Sequence, residues 1–333
     1  MANIYLVKED KGGNKKVFMT KKYDCIFPKD NVDFWKEIKC HIELITEIRI
    51  RAEKPILIYM KQKEISVDKD GKIIYVPELG KCFSYKELQK LVDYWCMDSR
   101  YAFQDEIKQG FLTIEGGHRI GICGETVVDE GGNIQTIKYV SSVNIRIAHE
   151  IKGVAERIME YIYEKNKVIN TLIISPPGAG KTTLLRDIVR LLSWGNDKQC
   201  GMNVGIVDER GEIAACFQGI PQLDIGPRTD VLSNCQKKRG MRMLLRSMAP
   251  MVIAVDELAE KEEIELICQM TGNGSAVIAT IHGECIEEVK QKEILSEIWK
   301  QQIFRNIICL SRDKNRFHMK IFRGEEQYVC YKC

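Results

Sequence analysis

The stretch Thr171-Leu172-Ile173-Ile174-Ser175-Pro176-Pro177-Gly178-Ala179-Gly180-Lys181-Thr182-Thr183 decides how this chain is read. Its apolar run, closed by Pro and Gly, reads as a short buried strand. Behind it, Leu184, Leu185, Ile188, Leu191 and Leu192 form the apolar stripe of a helix. A strand, a glycine-containing loop ending in Gly-Lys-Thr and a helix make a phosphate-loop unit. Gly178 and Gly180 let the backbone curl until its N–H groups face a polyphosphate at the positive end of the helix. Pro177, Gly178, Ala179, Gly180, Lys181, Thr182 and Thr183 are therefore the expected cradle for ATP. Lys181 would place a point charge on the β and γ phosphates, and the Thr182 hydroxyl would ligate Mg²⁺. Ser175 stands where the first glycine of this pattern usually sits, so here serine must serve.

Further along, three more apolar runs end in reactive residues. Val204–Val207 leads to Asp208-Glu209-Arg210, Val252–Val255 to Asp256-Glu257, and Ala276–Ala279 to Thr280-Ile281-His282-Gly283. Apolar runs alternating with helical stretches indicate a parallel α/β sheet, whose ligands bind beyond the carboxyl ends of the strands. If the four strands are parallel neighbours, these groups meet around a γ phosphate. Asp256 is expected to hold Mg²⁺ through water, and Glu257 to orient or deprotonate the attacking water, with Glu209 as rival for that second role. His282 reads either as a γ-phosphate sensor or as a histidine bonded to backbone. Charge on a transferring phosphoryl group calls for arginine. Arg119 and Arg146 in the N-terminal half, and Arg228 and Arg246 in the second half, are all candidates. Lys237-Lys238-Arg239 reads as a solvated basic face.

A chain of 333 residues exceeds the ~250–300 at which one core stops growing, so two domains are expected. Residues 1–150 read as a mixed α+β domain, and 151–333 as the nucleotide-binding one. Glu47–Arg51 alternates with period two, Ile56–Tyr59 and Lys72–Val76 are extended, and Ser84 with Glu87 is a capping box before the helical face Leu88, Leu91, Val92, Trp95. Strands follow at Phe111–Ile114, Arg119–Cys123, Ile134–Val140 and Val143–Ile147. Ile151–Lys165, with Val154, Ile158 and Ile162 on one side, reads as an amphipathic helix opening the second domain.

Composition narrows the function. Hydrophobic residues at 44% and charged residues at 29% exclude a disordered or fibrous chain. Fifty Lys plus Arg against 47 Asp plus Glu leave +3, and no basic stretch is rich in aromatics, so no nucleic-acid partner is expected. No apolar run approaches the ~18–20 residues of a membrane span, and the start, with Glu9 and Asp10 before a Lys-rich segment, lacks the apolar core of a signal peptide. The expectation is a cytoplasmic chain, at most peripheral to a membrane. Thirteen scattered cysteines read as reduced thiols, and the pair Cys330 and Cys333 lacks a second pair for zinc.

These residues also carry a resemblance. The phosphate loop with its following Leu-Leu-Arg-Asp, Val207–Ile213, Gly226–Leu232, Arg246–Pro250 and Ala279–Gly283 resemble the stage III sporulation protein AA family, related to type II and type IV secretion ATPases. The likeness extends to Arg49–Arg51 and Gly116–Gly121. It implies a RecA-like P-loop ATPase domain after a smaller α+β N-terminal domain. The implied activity is that of a hexameric, Mg-dependent ATP-hydrolysing motor on the mother-cell side of an endospore former, energising a secretion-like channel with membrane proteins as partners. Lys181 and Thr182 match the Walker A pair, Glu257 the Walker B glutamate, Asp208-Glu209 the Asp box, and Thr280 with His282 the His box. Arg119 and Arg146 match arginines that secretion ATPases bring from the N-terminal domain. Two departures stand out: Asp256 replaces a glycine, and Met251 replaces an acidic residue after Pro250.

Overall fold

The computed structural model describes residues 21–61, 63–313, 316–324 and 326–332. Glu9 and Asp10, and Cys333 of the tail pair, lie outside the described residues. The chain divides into two compact units, Met1–His149 and Glu150–Cys333.

The first unit is built on an antiparallel sheet of seven strands: β1 (Ile45–Arg51), β2 (Leu57–Met60), β3 (Lys63–Val67), β4 (Ile73–Ile74), β5 (Phe111–Thr113), β6 (Arg119–Val128) and β7 (Ile134–Arg146). Their order is β4-β3-β2-β1-β7-β6-β5. Period-two alternation does the sorting: Ile48 and Ile50 are buried, while Glu47, Arg49 and Arg51 stay partly exposed on the opposite face. α1 (Val32–Cys40) buries Phe34, Trp35 and Ile38. α2 (Tyr85–Trp95) packs against β7 and buries Leu88, Leu91, Val92 and Trp95. Its capping box is formed: the Ser84 amide donates to the Glu87 carboxylate at 2.7 Å and the Glu87 amide to the Ser84 hydroxyl at 3.3 Å.

One expectation is corrected here. Ile134–Val140 and Val143–Ile147 are a single strand, because Ser142 keeps its place in the ladder opposite both Arg51 and Cys123. A pairing irregularity at Gly124 and a left-handed Tyr139 (φ +46°) bend the β6–β7 ribbon without ending it.

The main sheet of the second unit has eight strands among the described residues: β8 (Thr171–Ser175), β9 (Val204–Asp208), β10 (Thr229–Ser233), β11 (Val252–Val255), β12 (Ala276–His282), β13 (Asn306–Asp313), β14 (Arg316–Arg323) and β15 (Glu326–Lys332). The order is β10-β9-β11-β12-β8-β13-β14-β15, parallel from β10 to β13 and antiparallel beyond. Both faces are covered over the central strands β9, β11, β12 and β8, which are accordingly apolar along most of their length. Ile173, Ile206, Val252, Ala254 and Ile278 pack with α3 (Lys181–Trp194) on one face. Leu172, Ile174, Ile253, Val255, Val277 and Ala279 pack on the other face with α4 (Lys237–Ser247) and α5 (Lys261–Gly272).

The helix expected over Ile151–Lys165 is reduced to Glu156–Ile162, a 3₁₀ turn followed by one α turn. Gly153 is left-handed (φ +85°) and Val154 is 39% exposed, so of the three expected apolar positions Ile158 and Ile162 serve the core, with Ala155 beside them. Lys165 (φ +47°) and Asn166 (φ +64°) then turn a small hairpin between Tyr163–Glu164 and Lys167–Val168.

Candidate functional site: a phosphate loop beside two acidic strand ends and a histidine-bearing one

The strands carrying the predicted chemistry stand side by side in the order β9-β11-β12-β8, all parallel, so their carboxyl ends share one edge. Ser175 is paired with His282 across that edge. It is fully buried and extended, its hydroxyl donating to the Pro176 carbonyl at 2.7 Å. No positive φ is needed at this position, which explains why serine can stand there. The curl falls instead on Gly178 (φ +72°) and Gly180 (φ +88°), where an added Cβ would meet no atom within 4 Å. Their requirement is therefore conformational, the left-handed region being open to glycine at no steric cost. The Leu184 amide bonds to the Gly180 carbonyl at 2.9 Å and starts α3.

Thr182 donates its hydroxyl proton to Asp256 Oδ2 at 2.8 Å. Thr280 donates to Asp256 Oδ1 at 2.5 Å and accepts the Glu257 amide at 2.8 Å. One carboxylate at the end of β11 is thus bonded to the phosphate-loop helix on one side and to the His-box strand on the other. Lys181 makes no hydrogen bond or ion pair among the described residues, which leaves its ammonium available to an anion.

The residues fit a Mg–nucleotide ligand. With its proton committed to Asp256, the Thr182 oxygen keeps lone pairs for a cation. Among the described residues no group of three or more His, Cys, Asp or Glu could hold a metal alone. Mg²⁺ is bound through one or two protein groups completed by phosphate oxygens and water, and Thr182 with Asp256 would supply such a pair.

Glu257 has a left-handed backbone (φ +57°), unusual for a non-glycine residue. Its carboxylate is paired with Arg210 at 3.0 Å, and its carbonyl accepts from the Lys237 ammonium. Glu209 is exposed, with Lys237 at 3.9 Å. A small polar cleft is lined by Asp208, Glu209, Arg210, Lys237, Asp256 and Glu257.

Asp208 has a different task. Only 2% exposed, it accepts the amides of Glu212 (2.8 Å), Ile213 (3.1 Å) and Ala214 (2.8 Å). Arg186 of α3 grips the same loop through its carbonyls, donating to Ile213 O at 2.5 Å and Glu212 O at 2.6 Å. Burial pushes the Arg186 guanidinium down from its ordinary pKa, and the Asp208 carboxylate opposes that shift.

His282 is exposed at the edge, with Nδ1 3.2 Å from the Ser175 carbonyl, so a backbone contact is present. Arg228 is committed to the Ser193 carbonyl at 2.9 Å, and Arg246 is exposed on α4. Arg119 and Arg146 belong to the first unit, as register partners on β6 and β7. The Arg119 guanidinium lies 3.6 Å from the Phe111 ring centroid.

The solvated basic face expected at Lys237-Lys238-Arg239 is corrected at its first residue. Lys238 pairs with Glu260 at 3.5 Å and Arg239 is exposed, but the Lys237 side chain is only 11% exposed and lines the cleft. Three further residues escaped sequence reasoning in their actual roles. Asp208 was legible as acidic but not as a loop anchor, although the Arg210-Gly211 that follows it signals a tight turn. Arg186, a lone charge among leucines in an amphipathic stripe, was the available sign of a buried ion. His118 is fully buried, its Nε2 donating to the Lys22 carbonyl at 2.9 Å and its Nδ1 accepting the Ala148 amide at 3.0 Å. Burial lowers its pKa to about 4.

A parallel sheet with a phosphate loop between its strand and α3, and a carboxylate pair ending the strand two places away, defines a RecA-like ATPase fold. The solved structures agree. The ATPase DotB of Legionella pneumophila aligns with a TM-score of 0.55 at 17% identity, covering 87% of this chain and 80% of that one. The pilus retraction motor PilT with bound ADP aligns with a TM-score of 0.57 at 16% identity, covering 87% and 83%. Within that class the particular family is also clear: residues 31–326 match the family described as Sporulation stage III, protein AA, and the chain belongs to it. Stage III sporulation protein AA of Bacillus subtilis (strain 168) is 38% identical over 271 residues, 81% of this chain and 83% of that protein.

Proposed function

We propose that this chain is a Mg-dependent ATPase that works as a sporulation motor. The observation that carries the reading is the bonded line Thr182–Asp256–Thr280–Glu257, which joins the phosphate loop to the end of β11 and to β12. That line supports a reading in which a phosphoanhydride is hydrolysed beside it.

In this mechanism the loop amides of residues 177–183 and the α3 N-terminus bind the triphosphate, and Lys181 neutralises its β and γ oxygens. Thr182, with Asp256 acting through water, would hold Mg²⁺, whose charge would stabilise that developing on the phosphate oxygens. Glu257 orients a water in line with the γ phosphorus and accepts its proton as the new O–P bond forms and the β,γ-bridging O–P bond breaks. To do so its carboxylate leaves Arg210, an exposed pair that costs at most about 1 kcal/mol to open. Glu209, across the same cleft, is the alternative acceptor of that proton. His282 reports the state of the γ phosphate at the β12 end, and Arg119 and Arg146 act in trans on a neighbouring copy's nucleotide.

The assembly we propose is a hexameric ring of identical chains in the mother-cell cytoplasm. Membrane proteins of a channel between mother cell and forespore dock on it, and movement of the N-terminal unit against the motor unit is its output. No helix among the described residues is long and apolar enough to cross a membrane, consistent with attachment through partners. Glu257→Gln is expected to slow phosphate release by roughly 10²–10³ while leaving MgATP binding intact. Phosphate release at the parental rate would remove Glu257 from catalysis and move the role to Glu209.

A further inference from the structure

Glu257 is held in a backbone conformation that a glutamate does not choose for itself. At φ +57° it sits in the left-handed region, a strained conformation that persists only where surrounding groups over-determine it. Two side chains supply that restraint, one on each backbone polar group: Thr280 Oγ1 takes the amide at 2.8 Å, and the Lys237 ammonium donates to the carbonyl. Lys237 is itself fixed. It is 11% exposed, lies 3.3 Å from Glu263 Oε1, and has Glu209 at 3.9 Å. Glu263 is 3% exposed and is anchored in turn by the Ala259 and Glu260 amides at the start of α5.

We propose that Lys237 is a positioning residue for hydrolysis: anchored by Glu263, it pins the Glu257 carbonyl and so directs the Glu257 carboxylate into the cleft. The proposal rests on the ATPase reading above. The hydrogen bond of Lys237 is to Glu257, while Glu209 lies at 3.9 Å and neither the phosphate loop nor Thr182 is touched among the contacts described. Removing it lets the peptide relax toward negative φ, and a displacement of about 1 Å at a reacting group is enough to cost roughly 10² in rate.

The test uses the full chain carrying Lys237→Met together with Glu263→Gln, so that no buried carboxylate is left unpaired while the amide oxygen still caps α5. Phosphate release should fall by about 10², MgATP affinity by calorimetry should stay within about twofold, and the double substitution should add nothing in a Glu257→Gln background. A merely structural lysine would instead lower rate equally in both backgrounds or weaken binding, and either outcome, like an unchanged rate, overturns the proposal. If the parental protein releases no phosphate, the ATPase reading fails by itself. The positioning claim is then decided by a crystal structure of the doubly substituted chain: Glu257 at negative φ supports it, and Glu257 still near +57° refutes it.

Discussion

Asp208→Asn should unfold the loop that carries Glu209, Arg210 and Glu212, and the cost can be worked from the contacts. Asp208 Oδ1 accepts the Glu212 amide at 2.8 Å, Oδ2 accepts the Ala214 amide at 2.8 Å, and both oxygens share the Ile213 amide at 3.1 Å. Asparagine keeps one acceptor oxygen. In either orientation its NH₂ faces one of the outer donors, and a hydrogen bond to a charged group, worth ~1.5–3 kcal/mol, becomes a donor–donor contact. The change also removes the carboxylate that offsets the burial of Arg186, which is 9% exposed. Together the loss comes to about 3–4 kcal/mol, or roughly 6–15 °C in the transition of a unit this size. Scanning calorimetry of the second unit's transition reads it directly. A variant melting within about 1 °C of the parent would mean that this carboxylate does not anchor the loop, and the assignment of Asp208 to structure rather than catalysis would be wrong.

Other outcomes follow from the same geometry. His118 is bonded as a neutral ring, so its contribution is fully present above the ordinary histidine value of 6.5 and is lost as pH falls from there through about 4. The integrated effect is roughly 3 kcal/mol, and denaturant melts of His118→Gln should show a shallower loss of stability over that window than the parent. Gly180→Ala places a Cβ at φ +88° with no atom to strike, so folding should weaken by only about 1–2 kcal/mol. MgATP affinity should nonetheless fall at least about tenfold, because a relaxed loop no longer aims its amides together; unchanged affinity in calorimetry would separate the loop's curl from binding.

How much of this was legible in the sequence depends on how local the cause is. The phosphate loop is local, since strand, left-handed glycines and helix lie within 24 residues of one another (171–194) and each declares itself by residue type. The convergence of the β9, β11 and β12 ends was also readable, because apolar runs alternating with helices leave a parallel sheet few alternatives. Lys237 was not readable: it is the first residue of α4 in a run of three cations, and only the fold decides that it turns to Glu263 and Glu257 while its neighbours face solvent. Asp208 and Arg186 are similar, because their partners are backbone groups, which carry no sequence signature. Ile151–Lys165 was misread for a different reason: its apolar spacing suits a helix, but Gly153 and the Lys165-Asn166 turn leave room for only two turns of it.

The proposed function stands on ATP being bound by the loop leading into α3 and split beside Asp256 and Glu257. Phosphate release by the purified full chain with MgATP, measured beside Lys181→Ala, tests it most directly. Turnover by the parent that Mg²⁺ chelation stops and Lys181→Ala reduces to background is the predicted result. Equal phosphate release from parent and Lys181→Ala would contradict it.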